Sequence, residues 1–276
     1  MIHKNRDRED YSFANINLLG KCNAKCFFCL GKDIACELEG KNQLKTHFTE
    51  WGNFEKFLAM CKDKNISKLY LTGQTADGLQ YHYLQEIVEH LKSRDFEIGV
   101  RTNGYLAMDK LDIIKQMNGE IGYSIHTLYP EINQKIMGRN TLPDWENIIP
   151  NSGDNVRVSI VINRYNVGEV EDLIYYLSRY DNVRYIQLRR ISTDTRFDFH
   201  EEDIVVYEKF FKEFSSNYQQ RSTFFGAEVF EVFGKEVNFW RTVETSCNSI
   251  NYFTDGTLSD EYFVVEGYLK NAVKTT

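Results

Sequence analysis

The stretch from Phe13 to Leu30 decides the fold, because it joins an apolar strand to a loop with three cysteines. The first part, Phe13-Ala14-Asn15-Ile16-Asn17-Leu18-Leu19, largely alternates apolar and polar residues, which indicates a β-strand that opens an α/β unit. The second part is Lys21-Cys22-Asn23-Ala24-Lys25-Cys26-Phe27-Phe28-Cys29-Leu30, with the spacing C-x3-C-x2-C. Six cysteines scattered over 276 residues produce this spacing by chance in roughly 3 chains per 1,000.

The three-cysteine loop is a candidate metal centre. Three thiolates this close together can hold three irons of a [4Fe–4S] cluster, so that the fourth iron has no protein ligand. The alternative is a zinc site, in which His47 or Cys36 completes a set of four ligands. The strand before the loop favours the cluster, because it is typical of an α/β unit rather than of a zinc knuckle.

The spacing, together with the aromatic Phe28 just before the last cysteine, resembles the signature of the radical S-adenosylmethionine (SAM) superfamily. The resemblance implies one [4Fe–4S] cluster on Cys22, Cys26 and Cys29 whose open iron chelates SAM. In that family one electron cleaves a carbon–sulfur bond of SAM, and the resulting 5′-deoxyadenosyl radical abstracts hydrogen from a substrate. It also implies an electron donor of the flavodoxin or ferredoxin type.

Composition narrows the class of protein further. With 42% hydrophobic residues, the chain can bury one large α/β core, and its three prolines leave no obvious linker. A net charge of −7 with dispersed lysines and arginines argues against a nucleic-acid partner. A group of arginines at 184, 189 and 190 is a candidate anion site. The charged N-terminus and the lack of a long apolar run predict a cytoplasmic protein with no membrane partner.

Strand and helix patterns alternate along most of the chain. Six strands are predicted at 13–19, 66–71, 96–101, 121–126, 156–162 and 184–189, with helices beginning near Thr49 and covering 79–91, 108–117 and 170–180. This rhythm favours a parallel sheet with helices outside, and the handedness of the crossovers curls it into a partial (β/α)6 barrel. The predicted fold class is therefore α/β, a TIM-like partial barrel with a C-terminal α+β cap.

Ligand sites of parallel α/β folds collect at the C-terminal ends of the strands. The candidates for SAM contacts stand there: Thr72, Gly73 and Gln74 after strand two, Asn103 after strand three, Ser124 and His126 on strand four, Asn163 after strand five, and Arg189 on strand six. The resemblance makes Thr72-Gly73-Gln74 the match of the family's Gly-Gly-Glu turn, with one glycine and a glutamine in place of the acid. The strand ends Thr102-Asn103-Gly104 and Ser124-Ile125-His126 resemble the branch containing the molybdenum-cofactor cyclase and peptide-modifying enzymes. Asn163 is equally well explained as a turn residue.

The sequence divides into a core domain, 1–194, and an extension, 195–276, that closes the barrel and shapes the substrate pocket. The extension begins with an amphipathic helix at 202–218 and continues with aromatic strands and an Asp255-Gly256 hairpin. Cys247 is a candidate hydrogen-atom donor to a substrate radical, with a buried structural thiol as the plainer interpretation. Cys36 and Cys61 are interpreted as structural.

These observations predict an enzyme that abstracts hydrogen from a small polar metabolite such as a sugar, nucleoside or amino acid. Peptide modification is the second hypothesis, and the Cys247 hairpin favours it because it resembles the start of auxiliary-cluster modules. A non-catalytic zinc scaffold or electron carrier is the hypothesis from another class.

Overall fold

A single curved sheet forms the centre of the protein. The computed structural model describes residues 13–31, 40–73, 75–192, 197–241 and 249–259. Its strands are β1 Phe13–Leu18, β2 Lys68–Gly73, β3 Glu97–Thr102, β4 Ile121–Ser124, β5 Val156–Val161, β6 Val183–Arg189, β7 Gln220–Phe224, β8 Ala227–Val232, β9 Lys235–Trp240, β10 Ser249–Phe253 and β11 Leu258–Ser259.

The strand order is β11-β10-β1-β2-β3-β4-β5-β6-β9-β8-β7. β1 to β6 are parallel, and the parallel run continues at both ends because β10 pairs with β1 and β9 pairs with β6 in the same sense. Only β11, β8 and β7, at the two edges of the described sheet, are antiparallel. The two edges do not pair within the described residues, so the barrel is partial, as predicted.

Helices cover the outer face of the sheet. They are α1 Phe54–Asp63, α2 Leu84–Lys92, α3 Leu111–Ile114, α4 Pro130–Met137, α5 Trp145–Ile148, α6 Val170–Ser178 and α7 Phe197–Asn217. Short 3-10 helices lie at Phe48–Glu50, Gly78–Gln80, Met108–Lys110, Ile149–Asn151 and Val167–Glu169. α6 buries Val170, Leu173, Ile174 and Leu177, which recur every three or four residues and form one face. Each such side chain contributes roughly 1.5–3 kcal/mol when it is fully buried.

The predicted strands are confirmed within one or two residues, and three differences from the predicted strands and helices have consequences. β4 ends at Ser124, so His126 lies in the loop beyond the strand rather than on it. The helix predicted near Thr49 begins only at Phe54, because Asn53 has a left-handed conformation with φ 59° and separates it from the 3-10 turn. The segment predicted as a helix at 108–117 is a 3-10 turn and a four-residue helix.

The C-terminal region contributes to both edges of the barrel. α7 packs on the outer face of β9, where the ring of Phe239 lies 4.9 Å from that of Phe211 and 5.0 Å from that of Phe214. On the inner side, Phe13 of β1 packs against the small cluster formed by Ala227 and Trp240. The predicted hairpin is confirmed, since β10 and β11 are antiparallel and Gly256 takes φ 93° in the turn between them.

Among the helices that the structure describes, none is both long and apolar enough to span a bilayer.

Candidate functional site

The cysteine loop after β1 is held in place by the end of α4. The backbone N–H of Lys25 donates to the carbonyl of Met137 at 2.8 Å, and that of Phe27 donates to Ile136 at 3.0 Å. α4 ends at Met137 because the next residue, Gly138, is its C-cap and takes the left-handed conformation with φ 68° that glycine adopts readily. The loop is therefore anchored to a second element rather than supported by its own backbone alone.

The thiols of Cys22, Cys26 and Cys29 are half-buried in this loop. The Sγ of Cys22 accepts from the N–H of Ala24 at 3.4 Å and from Nδ2 of Asn103 at 3.7 Å. Burial raises the pKa of the Cys22 thiol to about 11, and the hydrogen bond from Ala24 opposes that rise. Ile136 and Met137 of α4 form a small apolar cluster with Ala24 of the loop, and Cys22 and Cys26 pack against this cluster. Three thiols on one short loop, with N–H donors to sulfur and an adjacent apolar cluster, fit a three-thiolate [4Fe–4S] cluster.

Among the described residues, the structure gives no fourth ligand for a zinc ion at the three cysteines. Both ring nitrogens of His47 are occupied, Nδ1 by the Thr49 hydroxyl at 2.7 Å and Nε2 by the Glu86 carboxylate at 3.1 Å. Cys36 lies outside the described residues. No three His, Cys, Asp or Glu side chains in the described ranges are grouped closely enough to hold a single metal ion.

The turn after β2 requires its glycine. A Cβ on Gly73 would lie 2.0 Å from the carbonyl oxygen of Ala76, so a larger residue forces the backbone to move. Thr75 in the same turn accepts from the N–H of Gly20 at 3.4 Å, which joins the turn to the start of the cysteine loop. Thr72 is half-buried at the end of β2. Gln74 lies outside the described residues, so its role stays a prediction.

Sequence reasoning missed Asp77, which ties this turn to β3. Its carboxylate is buried and accepts from the N–H of Asn103 at 2.7 Å, the N–H of Leu79 at 3.0 Å and the hydroxyl of Thr102 at 2.8 Å. Burial raises the pKa of Asp77, while these three hydrogen bonds oppose the rise. The spacing of Asp77 and Gln80 is that of a capping box, which the sequence does contain.

Asn103 connects the turn at Asp77 with Asn23 and Cys22 of the cysteine loop. Its backbone is held by Asp77, and its side chain donates to Oδ1 of Asn23 at 2.7 Å as well as to the Cys22 sulfur. The structure therefore brings predicted residues from two separate strand ends, Cys22 and Asn103, into direct contact.

His126 and Phe28 also meet, with ring centroids 5.2 Å apart in an edge-to-face arrangement. Nδ1 of His126 accepts from the N–H of Val161 at 3.1 Å, which assigns the ring proton to Nε2. Burial and, to a smaller extent, the charge of Arg189 together lower the pKa of His126 to about 3, so the ring is neutral. Ser124 is half-buried and lies opposite Ser159 on β5.

The side chain of Asn163 is engaged within its own turn. Its Nδ2 donates to the carbonyl of Val161 at 2.9 Å, and its Oδ1 accepts from the N–H of Tyr165 at 2.9 Å. These bonds are those of an Asx turn. Contact of Asn163 with SAM stays a prediction, as does the role of Cys247, which lies outside the described residues.

The three arginines suggested as an anion site are not grouped. Arg184 is exposed near the start of β6 and Arg189 ends that strand, which separates them by about 16 Å. Arg190 forms an ion pair with Glu208 at 2.8 Å. Arg189 and Arg190 lie at the end of the sheet where the other candidates meet, whereas Arg184 lies near the opposite end.

The interior of the barrel is polar, which sequence reasoning also missed. Arg157 on β5 is buried and donates through Nε to Glu120 at 2.9 Å and through Nη1 to Gln187 at 2.9 Å. Burial acts to raise the pKa of Glu120, but Arg157 and Arg101 hold it below its ordinary value. Gly122 leaves room for this guanidinium, because a Cβ there would meet Arg157 Nη2 at 2.6 Å. The alternation of Arg157 and Ser159 with apolar residues is the signal that could have revealed this face.

This fold and this cysteine loop agree with the family comparison. The sequence model of the radical SAM superfamily matches residues 16–177, more than half of the chain, and the protein belongs to that superfamily. It is therefore an enzyme that uses a [4Fe–4S] cluster and SAM, as predicted.

Two kinds of similar protein are GTP 3′,8-cyclases, found by sequence, and SuiB, found by structure. The GTP 3′,8-cyclase of Aquifex aeolicus is 27% identical over 94% of this chain and 84% of that protein, and the Staphylococcus haemolyticus GTP 3′,8-cyclase is 24% identical over 67% of this chain and 56% of its own length. Among solved structures, Streptococcus suis SuiB bound to its precursor peptide SuiA matches with a TM-score of 0.63 at 11% identity. The match covers 92% of this chain but 60% of SuiB, so it describes the fold.

Proposed function

We propose that this radical SAM enzyme holds its cluster on Cys22, Cys26 and Cys29 and abstracts hydrogen from a nucleotide. The observation that carries the substrate class is the similarity to a GTP 3′,8-cyclase along nearly the whole chain. A SAM-dependent nucleotide dehydratase of a Thermoplasmatales archaeon is also 27% identical over 49% of this chain. The names of both proteins refer to nucleotide substrates. They support a nucleotide as the small polar metabolite that the sequence predicts.

When bound, the cluster supplies the electron that cleaves SAM and so generates the 5′-deoxyadenosyl radical. The chain's own residues then have separate tasks. The three thiols would hold the cluster to which SAM binds, and the contacts of the loop with α4 fix the position of those thiols. Gly73 brings the backbone of the turn close enough for its carbonyls to accept hydrogen bonds from the SAM amino group.

His126 provides a neutral N–H donor at Nε2 beside the cysteine loop, because its pKa lies far below neutral pH. A neutral ring there does not change charge on SAM binding. The polar barrel interior supplies hydrogen-bonding groups to a polar substrate, whereas an apolar interior would reject one.

The test is hydrogen transfer from the nucleotide. The anaerobically reconstituted protein is incubated with SAM, reductant and each of the four ribonucleoside triphosphates deuterated on the ribose. Transfer of deuterium into 5′-deoxyadenosine with one of them is the expected result. If 5′-deoxyadenosine forms but carries no deuterium with all four nucleotides, the proposed substrate class is contradicted.

Peptide modification is the second candidate, with the likeness to SuiB as its support. That likeness concerns the fold, so the nucleotide is preferred. A short precursor peptide encoded beside this protein, which acquires a modification on incubation with the enzyme, would favour the peptide.

A further inference from the structure

Asn238 carries a buried amide with no hydrogen-bond partner. The residue is 0% exposed, and neither Oδ1 nor Nδ2 is paired. Within the described ranges, no other buried side chain has two such unpaired atoms. Buried polar groups are nearly always paired in folded proteins, so each exception calls for an explanation.

Asn238 lies on the inner face of the barrel. Its neighbours on β9, Val237 and Phe239, are buried on the outer face, where Phe239 packs against α7. Successive side chains of a strand point to opposite faces, so Asn238 points inward. Its register partner on β6 is Gln187, which belongs to the polar interior.

The orientation of the Gln187 amide is fixed. Arg157 has only donors, so the Gln187 atom that it contacts at 2.9 Å is the carbonyl Oε1. Ser159 Oγ also lies on that side, 3.5 Å from Oε1. Nε2 of Gln187 is consequently left to donate on the side away from Arg157. Two neighbouring inner positions, Gln187 and Asn238, together offer donors and an acceptor.

We propose that Asn238, assisted by Gln187, recognises the hydrogen-bonding edge of the nucleotide's base, an inference that rests on the proposed nucleotide substrate. A primary amide presents one donor and one acceptor side by side, and it pairs with a base edge that presents the complementary acceptor and donor. The base then lies within the barrel, and the ribose lies toward the ends of the strands where SAM is bound.

Access to Asn238 requires a neighbouring side chain to move, because the amide is completely covered. Trp240 is two residues further along the same inner face and is the last residue of β9. It is 5% exposed and packs with Ala227. Binding of a base therefore changes the environment of the Trp240 indole, which gives the inference an optical signal.

The experiment measures binding of ATP, GTP, CTP and UTP separately to the reconstituted protein with SAM, by calorimetry and by tryptophan fluorescence. Wild type is expected to bind one of the four and to change its fluorescence, and Trp240→Phe is expected to lose that change. Asn238→Leu, similar in size but apolar, is expected to weaken binding about 10-fold to 100-fold. Its unfolding temperature is expected to be unchanged or higher, because an unpaired buried amide has been removed.

Two further variants make the test specific. Asn238→Asp offers acceptors only, so it is expected to change the order of preference among the four nucleotides rather than to lower all affinities equally. Asn217→Leu, at the exposed end of α7, is the matched control and is expected to bind as wild type does.

The outcomes separate the inference from the proposed function. Wild type that binds none of the four nucleotides overturns the proposed substrate class and the inference with it. Equal binding by wild type and Asn238→Leu overturns the inference alone. Weaker binding accompanied by a fall of several degrees in unfolding temperature assigns Asn238 a structural role and also overturns it.

Discussion

Replacement of Asp77 tests how the turn after β2 supports the cysteine loop. In Asp77→Ala, the N–H groups of Asn103 and Leu79 lose their acceptor in a buried position. Each unsatisfied buried donor costs about 1–3 kcal/mol, so the variant should lose about 3–5 kcal/mol of unfolding free energy.

Asp77→Asn separates the two carboxylate oxygens. Oδ1 accepts from Leu79 and Thr102, whereas Oδ2 accepts from Asn103 alone. An asparagine that keeps Oδ1 as its carbonyl retains the first two bonds and loses the third, which predicts an intermediate loss of about 1–3 kcal/mol. Both variants release Asn103, whose side chain holds Asn23 and the Cys22 sulfur.

The assay combines urea denaturation with the iron content after anaerobic reconstitution. Stability should fall in the order wild type, Asp77→Asn, Asp77→Ala, and iron retention should fall in the same order. Asp154→Ala is the control, because Asp154 is exposed. Equal midpoints for wild type and Asp77→Ala would refute the reasoning, and so would lowered stability with full iron retention, since Asn103 would then not position the loop.

Three other substitutions have defined outcomes. Gly73→Ala should abolish SAM binding in calorimetry, because its Cβ meets the Ala76 carbonyl oxygen at 2.0 Å; unchanged affinity would show that the turn is not used. Arg157→Met should lower the unfolding free energy by about 2–4 kcal/mol, since the buried Glu120 loses its partner at 2.9 Å and keeps the more distant Arg101 at 3.7 Å, and a midpoint equal to wild type would contradict this. His126 has a lowered folded-state pKa of about 3, so protonation of the unfolded chain near pH 6.5 removes stability as the pH falls. From pH 7.5 to 5.5 wild type should lose about 1.4 kcal/mol more than His126→Asn, measured by urea denaturation, and parallel pH curves would contradict the buried neutral ring.

The sequence was sufficient for the parallel strands and the cysteine loop because these signals are local. Apolar runs of β1 to β6 and the C-x3-C-x2-C spacing can be seen within short windows. The helix predicted at 108–117 is confirmed only in part, because its backbone begins as a 3-10 turn at Met108–Lys110 and is α-helical only at Leu111–Ile114. Periodicity reports which side chains face the core, not which hydrogen bonds the backbone forms.

The pairing of β10 with β1 could not be predicted from local sequence patterns. Nδ2 of Asn15 donates to Oδ1 of Asn251 at 2.8 Å, across 236 positions of sequence. Nothing near either asparagine specifies the other, and the same applies to the contact between Asn103 and Cys22. The roles of Arg157 and Asp77 could have been predicted from the sequence. Arg157 alternates with apolar residues in its strand, and Asp77 begins a capping box.

Metal analysis of cysteine variants tests the central claim most directly. Wild type, Cys26→Ala and the control Cys61→Ala, whose thiol lies on the buried face of α1, are reconstituted anaerobically with iron and sulfide. Wild type and Cys61→Ala are expected to hold about four irons per chain and to form 5′-deoxyadenosine from SAM and reductant, while Cys26→Ala does neither. Retained iron and SAM cleavage in Cys26→Ala would contradict the assignment of the cluster to this loop.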